Sequence, residues 1–222
     1  MIKVGRIAIE TAILEQPSVS IVDIPNVIVD RGSRPRLAGL IGSELLARYT
    51  VTVDFTRHTL ILNSPGFRPQ SATFSLPLGF AMSLDGFSHP SISAELDGVA
   101  GDFVIDTGAG GQVIVSDRFQ RGHRPLAESG KTLQFLSPGG MGGRTNIQLG
   151  FGKRLSIGPL TLSPPVVAGG TDAGGARLGS SAGLIGNAIL SNSSSPSTIN
   201  RCAPISNPLP AGPSRTFFVE PV

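Results

Sequence analysis

Asp106 stands where a carboxylate can be put to work. It follows the apolar run Phe103-Val104-Ile105 and precedes Thr107-Gly108-Ala109. Such a run predicts a strand that delivers the acid into a turn. Gly108 lets the backbone bend sharply and bring an amide near the carboxylate. A carboxylate held this way can transfer protons, either as a base that activates water or as an acid. The bland alternative is an acid that merely caps a turn at the mouth of a strand.

Other chemistries fall away on spacing. Gly179-Ser180-Ser181-Ala182-Gly183 has the Gly-x-Ser-x-Gly form of serine hydrolases, which need a strand before the nucleophile and a histidine after it. Here residues 169–179 read as loop, and no histidine follows His123. Gly108-Ala109-Gly110-Gly111 lacks the spacing and the Lys-Ser/Thr of a phosphate loop. His58, His89 and His123 lie far apart and share no metal-ligand spacing, and Cys202 is the lone cysteine. No metal, no cofactor and no internal disulfide are expected.

The elements that must position Asp106 belong to a pattern written twice. Gly39-Leu40-Ile41-Gly42 recurs as Gly183-Leu184-Ile185-Gly186, an offset of 144 (183 − 39). Val4-Gly5-Arg6-Ile7-Ala8-Ile9 resembles Ile157-Gly158-Pro159-Leu160-Thr161-Leu162 at an offset of 153 (157 − 4). The difference falls in the loop between the two landmarks, where insertions are tolerated. Two copies of one unit is the simplest account. Residues 1–66 form the first copy and 67–191 the second, with the proline-rich stretch 65–77 between them.

The local pattern is almost all strand. Tyr49, Val51, Val53 and Phe55 alternate with Thr50, Thr52 and Asp54, the period of a half-buried strand, and a turn at 56–59 leads into Leu60-Ile61-Leu62. Asp97-Gly98 between 92–96 and 99–105 is a hairpin signal. Short helices are expected at 43–48 and 187–190, with Ser43 and Asn187 at the caps.

Together these residues resemble the retropepsin-like aspartic peptidases. Val104-Ile105-Asp106-Thr107-Gly108-Ala109 is similar to the family's Asp-Thr-Gly-Ala signature, and Ala182-Gly183-Leu184-Ile185-Gly186 to its second landmark before a short helix. Residues 39–62 resemble the end of a bacterial tandem version with two lobes in one chain. The resemblance implies an all-β chain of acid-protease barrel lobes, the first incomplete and the second nearly complete. It also implies endopeptidase activity through two carboxylates, one per lobe, that share a proton because like charges so close cannot both ionise. Asp106 would be one of them. Thr107 would bond across the lobe interface, Gly108 and Ala109 would shape the loop, and Leu184, Ile185 and Gly186 would back it. Families of this kind close a glycine-rich hairpin over substrate. Pro138, Gly139, Gly140 and Met141 are the expected flap, between apolar stretches at 133–136 and 147–151.

The second copy has a long run ahead of its Ile157-Gly158 landmark, whereas three residues precede Val4-Gly5 in the first. The first copy therefore lacks its front half. The offsets put a partner Asp-Thr-Gly at −38 (106 − 144) or −47 (106 − 153), before Met1. The second carboxylate is expected from such an N-terminal lobe or from a homodimer, with a peptide or protein as substrate. The alternatives are a peptidase-like module that only binds or dimerises, and an inactive gene fragment. Any export signal would also lie upstream of Met1, which leaves the compartment open.

Composition excludes other partners. A net charge of +3, no Trp and one Tyr offer no aromatic platform for single strands, and Arg118, Arg121, His123 and Arg124 read as a solvated patch rather than a nucleic-acid site. No apolar run is long enough to span a bilayer. At the far end, residues 193–199 read Ser-Ser-Ser-Pro-Ser-Thr-Ile where the repeat calls for a strand. Residues 192–222 are expected to be a low-complexity tail, disordered or read out of frame.

Overall fold

The computed structural model describes residues 2–21, 39–42, 45, 48–70, 74–82, 88–126, 130–140, 143–170, 178–191, 197–199 and 216–219. Strand accounts for 52% and helix for 9%, which places the protein in the all-β class.

Copy one begins with two small ribbons. β1 (Ile2–Lys3) pairs with β4 (Ser18–Val19), and β2 (Arg6–Ile9) pairs with β3 (Ala12–Glu15) between them. The alternating strand expected next is β5 (Thr50–Asp54), and the turn after it leads into β6 (Thr59–Asn63). Leu14, Leu45 and Val51 make a small core, against which Ile7, Ile9, Tyr49, Val53 and Leu62 pack. The Tyr49 hydroxyl ties this core to β3, accepting from the Ile13 amide at 3.0 Å. Leu45 and Arg48 are helical, as expected for 43–48, and Ser43 lies outside the described residues.

Asp54 closes the β5–β6 turn. Its Oδ1 accepts from the Arg57 amide at 2.9 Å, and its Oδ2 meets the Arg57 guanidinium at 3.0 Å. These bonds, the amide first, hold its carboxyl below the usual value of 3.8. Because the folded value is depressed, the contribution is present above the unfolded value and disappears as pH falls through the folded one. Thermal unfolding of the wild type and Asp54→Asn is expected to differ at neutral pH and to converge well below pH 3.8. A gap that persists unchanged into acid would refute this.

Copy two supplies a ten-stranded sheet. Along it run β12 (Leu133–Gly140), β13 (Gly143–Phe151), β16 (Val166–Gly170), β11 (Val113–Val115), β17 (Gly183–Ile185), β10 (Val99–Ile105), β9 (Ser88–Leu96), β14 (Leu155–Ile157) and β15 (Leu160–Leu162), with β8 (Gly79–Met82) paired to β9. The path does not return to its start, so the expected barrel is, among the described residues, an open sheet ending at β12 and β15. Its core holds the fully buried Phe103, Leu96, Leu155, Val113, Val167 and Ile185. β14 pairs directly with β15, and the chain passes on to β16.

Asp97 and Gly98 turn the β9–β10 hairpin with φ of 54° and 85°, the geometry their sequence predicts. Asp97 also pins the start of β14. Its Oδ1 accepts from the amides of Lys153 at 2.7 Å and Arg154 at 2.8 Å. Asp97→Ala removes both bonds and puts a residue without a local side-chain bond at positive φ. We expect a loss of about 2–3 kcal/mol in denaturant unfolding. Asp97→Asn, which keeps the acceptor, should lose less than half of that. Equal losses would refute the capping role.

Two helices flank the sheet. α1 (Asp117–His123) is not anticipated by the strand pattern, although Ser116 caps it by accepting from the Phe119 amide at 3.3 Å. Arg118, Arg121, His123 and Arg124 are exposed on or just after it, the solvated patch expected. α2 (Asn187–Leu190) falls where the repeat puts it, but Gly186 rather than Asn187 is the cap residue, without a side-chain bond. Asn187 instead turns its amide to the Ala109 carbonyl at 2.7 Å, so it serves the loop rather than the helix end.

The two copies meet in a five-stranded sheet ordered β6-β5-β18-β19-β7, where β7 is Phe74–Pro77, β18 is Ser197–Ile199 and β19 is Thr216–Val219. This corrects the expectation for 192–222. Within it, 197–199 and 216–219 are strands, and the remainder lies outside the described residues. Thr198 and Ile199 are β-branched, and the edge of β5 offers their backbone a ladder. A strand needs little more than these when only three residues are involved.

Candidate active site

The backbone is threaded around Asp106. β17 lies between β10 and β11, parallel to the first and antiparallel to the second. Val104 stands beside Leu184 and Ile105 beside Ile185, and on the other side Ile114 stands beside Leu184. The segment 106–112 must therefore pass across the end of β17 to reach the far side. That crossing holds Asp106 at the sheet's end instead of leaving it on a free loop.

The crossing is bonded at each step. The Asp106 amide donates to the Ile185 carbonyl at 3.0 Å, and the Gly108 amide donates to Asp106 Oδ1 at 2.8 Å. Ala109 donates to the Asp106 carbonyl at 3.3 Å, Gly186 to the Gln112 carbonyl at 2.9 Å, and Ala188 to that of Gly111 at 3.2 Å. Asp106 is half-buried, and among the described residues it has no ion pair. One carboxylate oxygen is thus fixed by a backbone amide, while the other has no described partner.

The backing residues are tightly fitted. Leu184 is 6% exposed and packs in a cluster with Val104 and Ala81, against which Ala109 lies, while Ile185 is fully buried in the main core. A Cβ on Gly186 would collide with the Gly111 carbonyl and stand 2.7 Å from that of Ala109. One on Gly183 would collide with the Ile114 carbonyl. Glycine is required at both places by close approach of backbone to backbone.

Thr107 is exposed, and no described residue bonds its side chain. The resemblance gives it a bond across a lobe interface, and no described residue fills that part. Pro138, Gly139 and Gly140 lie in β12, whose hairpin with β13 carries an irregularity between Ser137 and Gly140, and Met141 lies outside the described residues. Leu133, Phe135 and Leu136 on this hairpin are 68%, 46% and 54% exposed, an apolar surface looking outward. Three strands, β16, β11 and β17, separate the hairpin from β10.

Ser181, the middle of the Gly-x-Ser-x-Gly run, is 2% exposed and follows a turn, in keeping with its rejection as a nucleophile. Among the described residues no three His, Cys, Asp or Glu side chains cluster as a metal site would require, and no helix is long and apolar enough to cross a membrane. One contributor is invisible in the sequence. Gln112 Oε1 accepts from the Val166 amide at 2.6 Å, tying the end of the Asp106 segment to β16. A partner 54 positions away leaves no local signal.

No protein-family model matches the chain, and no curated protein matches it significantly.

Proposed function

We propose that the protein is an aspartic endopeptidase of the retropepsin-like kind, with Asp106 as one of two carboxylates that activate water against a peptide bond. The observation that carries this reading is the crossing at 106–112, which fixes a half-buried carboxylate against the Gly108 amide at 2.8 Å. A capping acid needs no strand threaded beside it. A proton-transferring acid does, because its orientation must hold through the reaction. The apolar hairpin β12–β13 is the flap of this reading, covering an extended substrate and excluding water.

Copy two contributes one carboxylate, so hydrolysis needs a second from an N-terminal lobe or from a second chain. In the reaction the ionised member takes a proton from water, which attacks the carbonyl carbon. The protonated member gives its proton to the carbonyl oxygen, and the tetrahedral species then collapses with departure of the amine. The test is mass spectrometry of a protein digest incubated with the chain, alone and with a polypeptide of residues 70–126 added. New C-termini carrying oxygen from solvent are expected. Their absence in both arms would overturn the reading. Binding without hydrolysis is the second reading, and it draws on the single Asp-Thr-Gly in the sequence.

A further inference from the structure

We infer that copy one carries a docking face for a partner polypeptide, a half-lobe of the pattern that residues 74–126 have in copy two, seated along β6 and over residues 39–42. Only the role of that partner's carboxylate rests on the peptidase reading.

The first ground is one sequence in two environments. Gly183-Leu184-Ile185-Gly186 is buried between β10 and β11. Gly39-Leu40-Ile41-Gly42 leaves Leu40 66% and Ile41 59% exposed, against 6% and 0% for Leu184 and Ile185. A Cβ on Gly39 or Gly42 meets nothing within 4 Å, where Gly183 and Gly186 have no room. The small residues and the apolar pair are in place, and among the described residues no strand stands on either side of them.

The second ground is the sheet between the copies. β5 and β18 pair as Val51↔Ile199, Thr52↔Thr198 and Val53↔Ser197. Adding the repeat's offset of 144 to 53 gives 197, and Val53 stands opposite Ser197, so the pairing maps onto itself when the copies exchange. A pseudo-twofold axis passes between Val53 and Ser197. It makes β19 the counterpart of β6, since β6 pairs with β5 as β19 pairs with β18. The outer edge of β19 is covered by β7, with Phe217 opposite Leu76 and Phe218 opposite Ser75. The outer edge of β6 has no described strand on it, and Leu60 and Ile61 are 51% and 45% exposed. Beside this edge runs a groove of about 620 Å³ whose lining includes Ile9, Glu10, Ala12, Leu60, Ile61 and Leu62.

Both gaps are filled in copy two by one stretch of chain, which supplies β7, β10 and β11. One occupant of the same pattern therefore accounts for both. A second copy of this chain is the poorer occupant, because its own 74–126 is already bound to its own β17 and β19. The symmetry also gives the register. The partner strand runs antiparallel to β6, with an apolar residue opposite Leu60, as Phe74 stands opposite Val219.

The experiment is hydrogen exchange of the full chain with and without a polypeptide of residues 70–126 as the probe. Slower exchange at 39–42 and 59–63, at one probe per chain, is expected. Leu40→Lys and Ile61→Lys should each weaken binding about tenfold or more, while protection of β9 and β10 stays unchanged. Should the long probe fold poorly, a labelled peptide of residues 72–79 reads the β6 edge alone and should protect 59–63. Absence of protection with both probes overturns the inference, as does protection that the Lys variants do not weaken. A concentration-dependent dimer of the chain protected at the same residues without probe also overturns it, because the occupant would then be a second copy. Docking without peptide cleavage leaves the face standing and counts against the peptidase reading alone.

Discussion

Asp106→Asn is expected to lower peptide-bond hydrolysis by about 10²–10⁴-fold without unfolding the protein. Asn has the same shape, and its carbonyl oxygen can still accept from the Gly108 amide that now reaches Asp106 Oδ1 at 2.8 Å. The segment 106–112 should keep its course across β17, because those bonds are made by the backbone. What the variant loses is a group that can take and return a proton, the part of the barrier that a positioned acid or base removes. The measurement is kcat on a cleaved peptide, with thermal unfolding beside it. Lost turnover with an unchanged melting curve is the expected pair. Turnover near the wild-type rate would end the assignment of Asp106, and a large loss of stability would mean that the acid serves the fold.

The second large effect is a contrast between identical glycines. Gly183→Ala drives a methyl group into the Ile114 carbonyl and to 3.0 Å from the Val115 Cα, so two paired strands must separate. Overpacking of a close-fitted core costs about 1–3 kcal/mol and occasionally more, and backbone neighbours give way less readily than side chains. Gly183→Ala and Gly186→Ala are therefore expected to lose about 3 kcal/mol or more. Gly39→Ala and Gly42→Ala, with open space around each, should change stability by about 0.5 kcal/mol at most. Urea unfolding of the four variants decides the matter. Equal losses in both copies would show that residues 39–42 are as enclosed as 183–186.

Much of this architecture is legible in the sequence because its signals are local. The alternation from Thr50 to Asp54, the Asp97-Gly98 turn and the apolar run into Asp106 each specify their backbone within a few residues. Gly183 and Gly186 are legible for a different reason, since close backbone approach there leaves glycine no substitute. What escapes is set by distant pairing. Ser197–Ile199 reads as a weak strand, and only the waiting edge of β5 makes it one. The reach of Gln112 to Val166 leaves no trace in the sequence around either residue. α1 is missed for a plainer reason. Ser116 followed by Asp117 is a fair helix start, but the basic residues after it draw attention to charge rather than to Phe119, which packs against Phe103 at 6.0 Å.

The pairing of β5 with β18 has a consequence for how the chain reaches this state. Thr52 and Thr198 lie side by side but 146 positions apart, a long loop to close before any bond is gained. During synthesis β5 and β6 emerge before copy two and wait until residues 197–199 have been made. The strand that joins β18 to β7 is Thr216–Val219, made later still. Copy two can assemble its own sheet before that moment, since all ten strands lie within 79–185. The union of the copies then follows the assembly of copy two. A ribosome stalled before residue 197 has been made would hold a finished second copy beside a first copy still waiting for its neighbour.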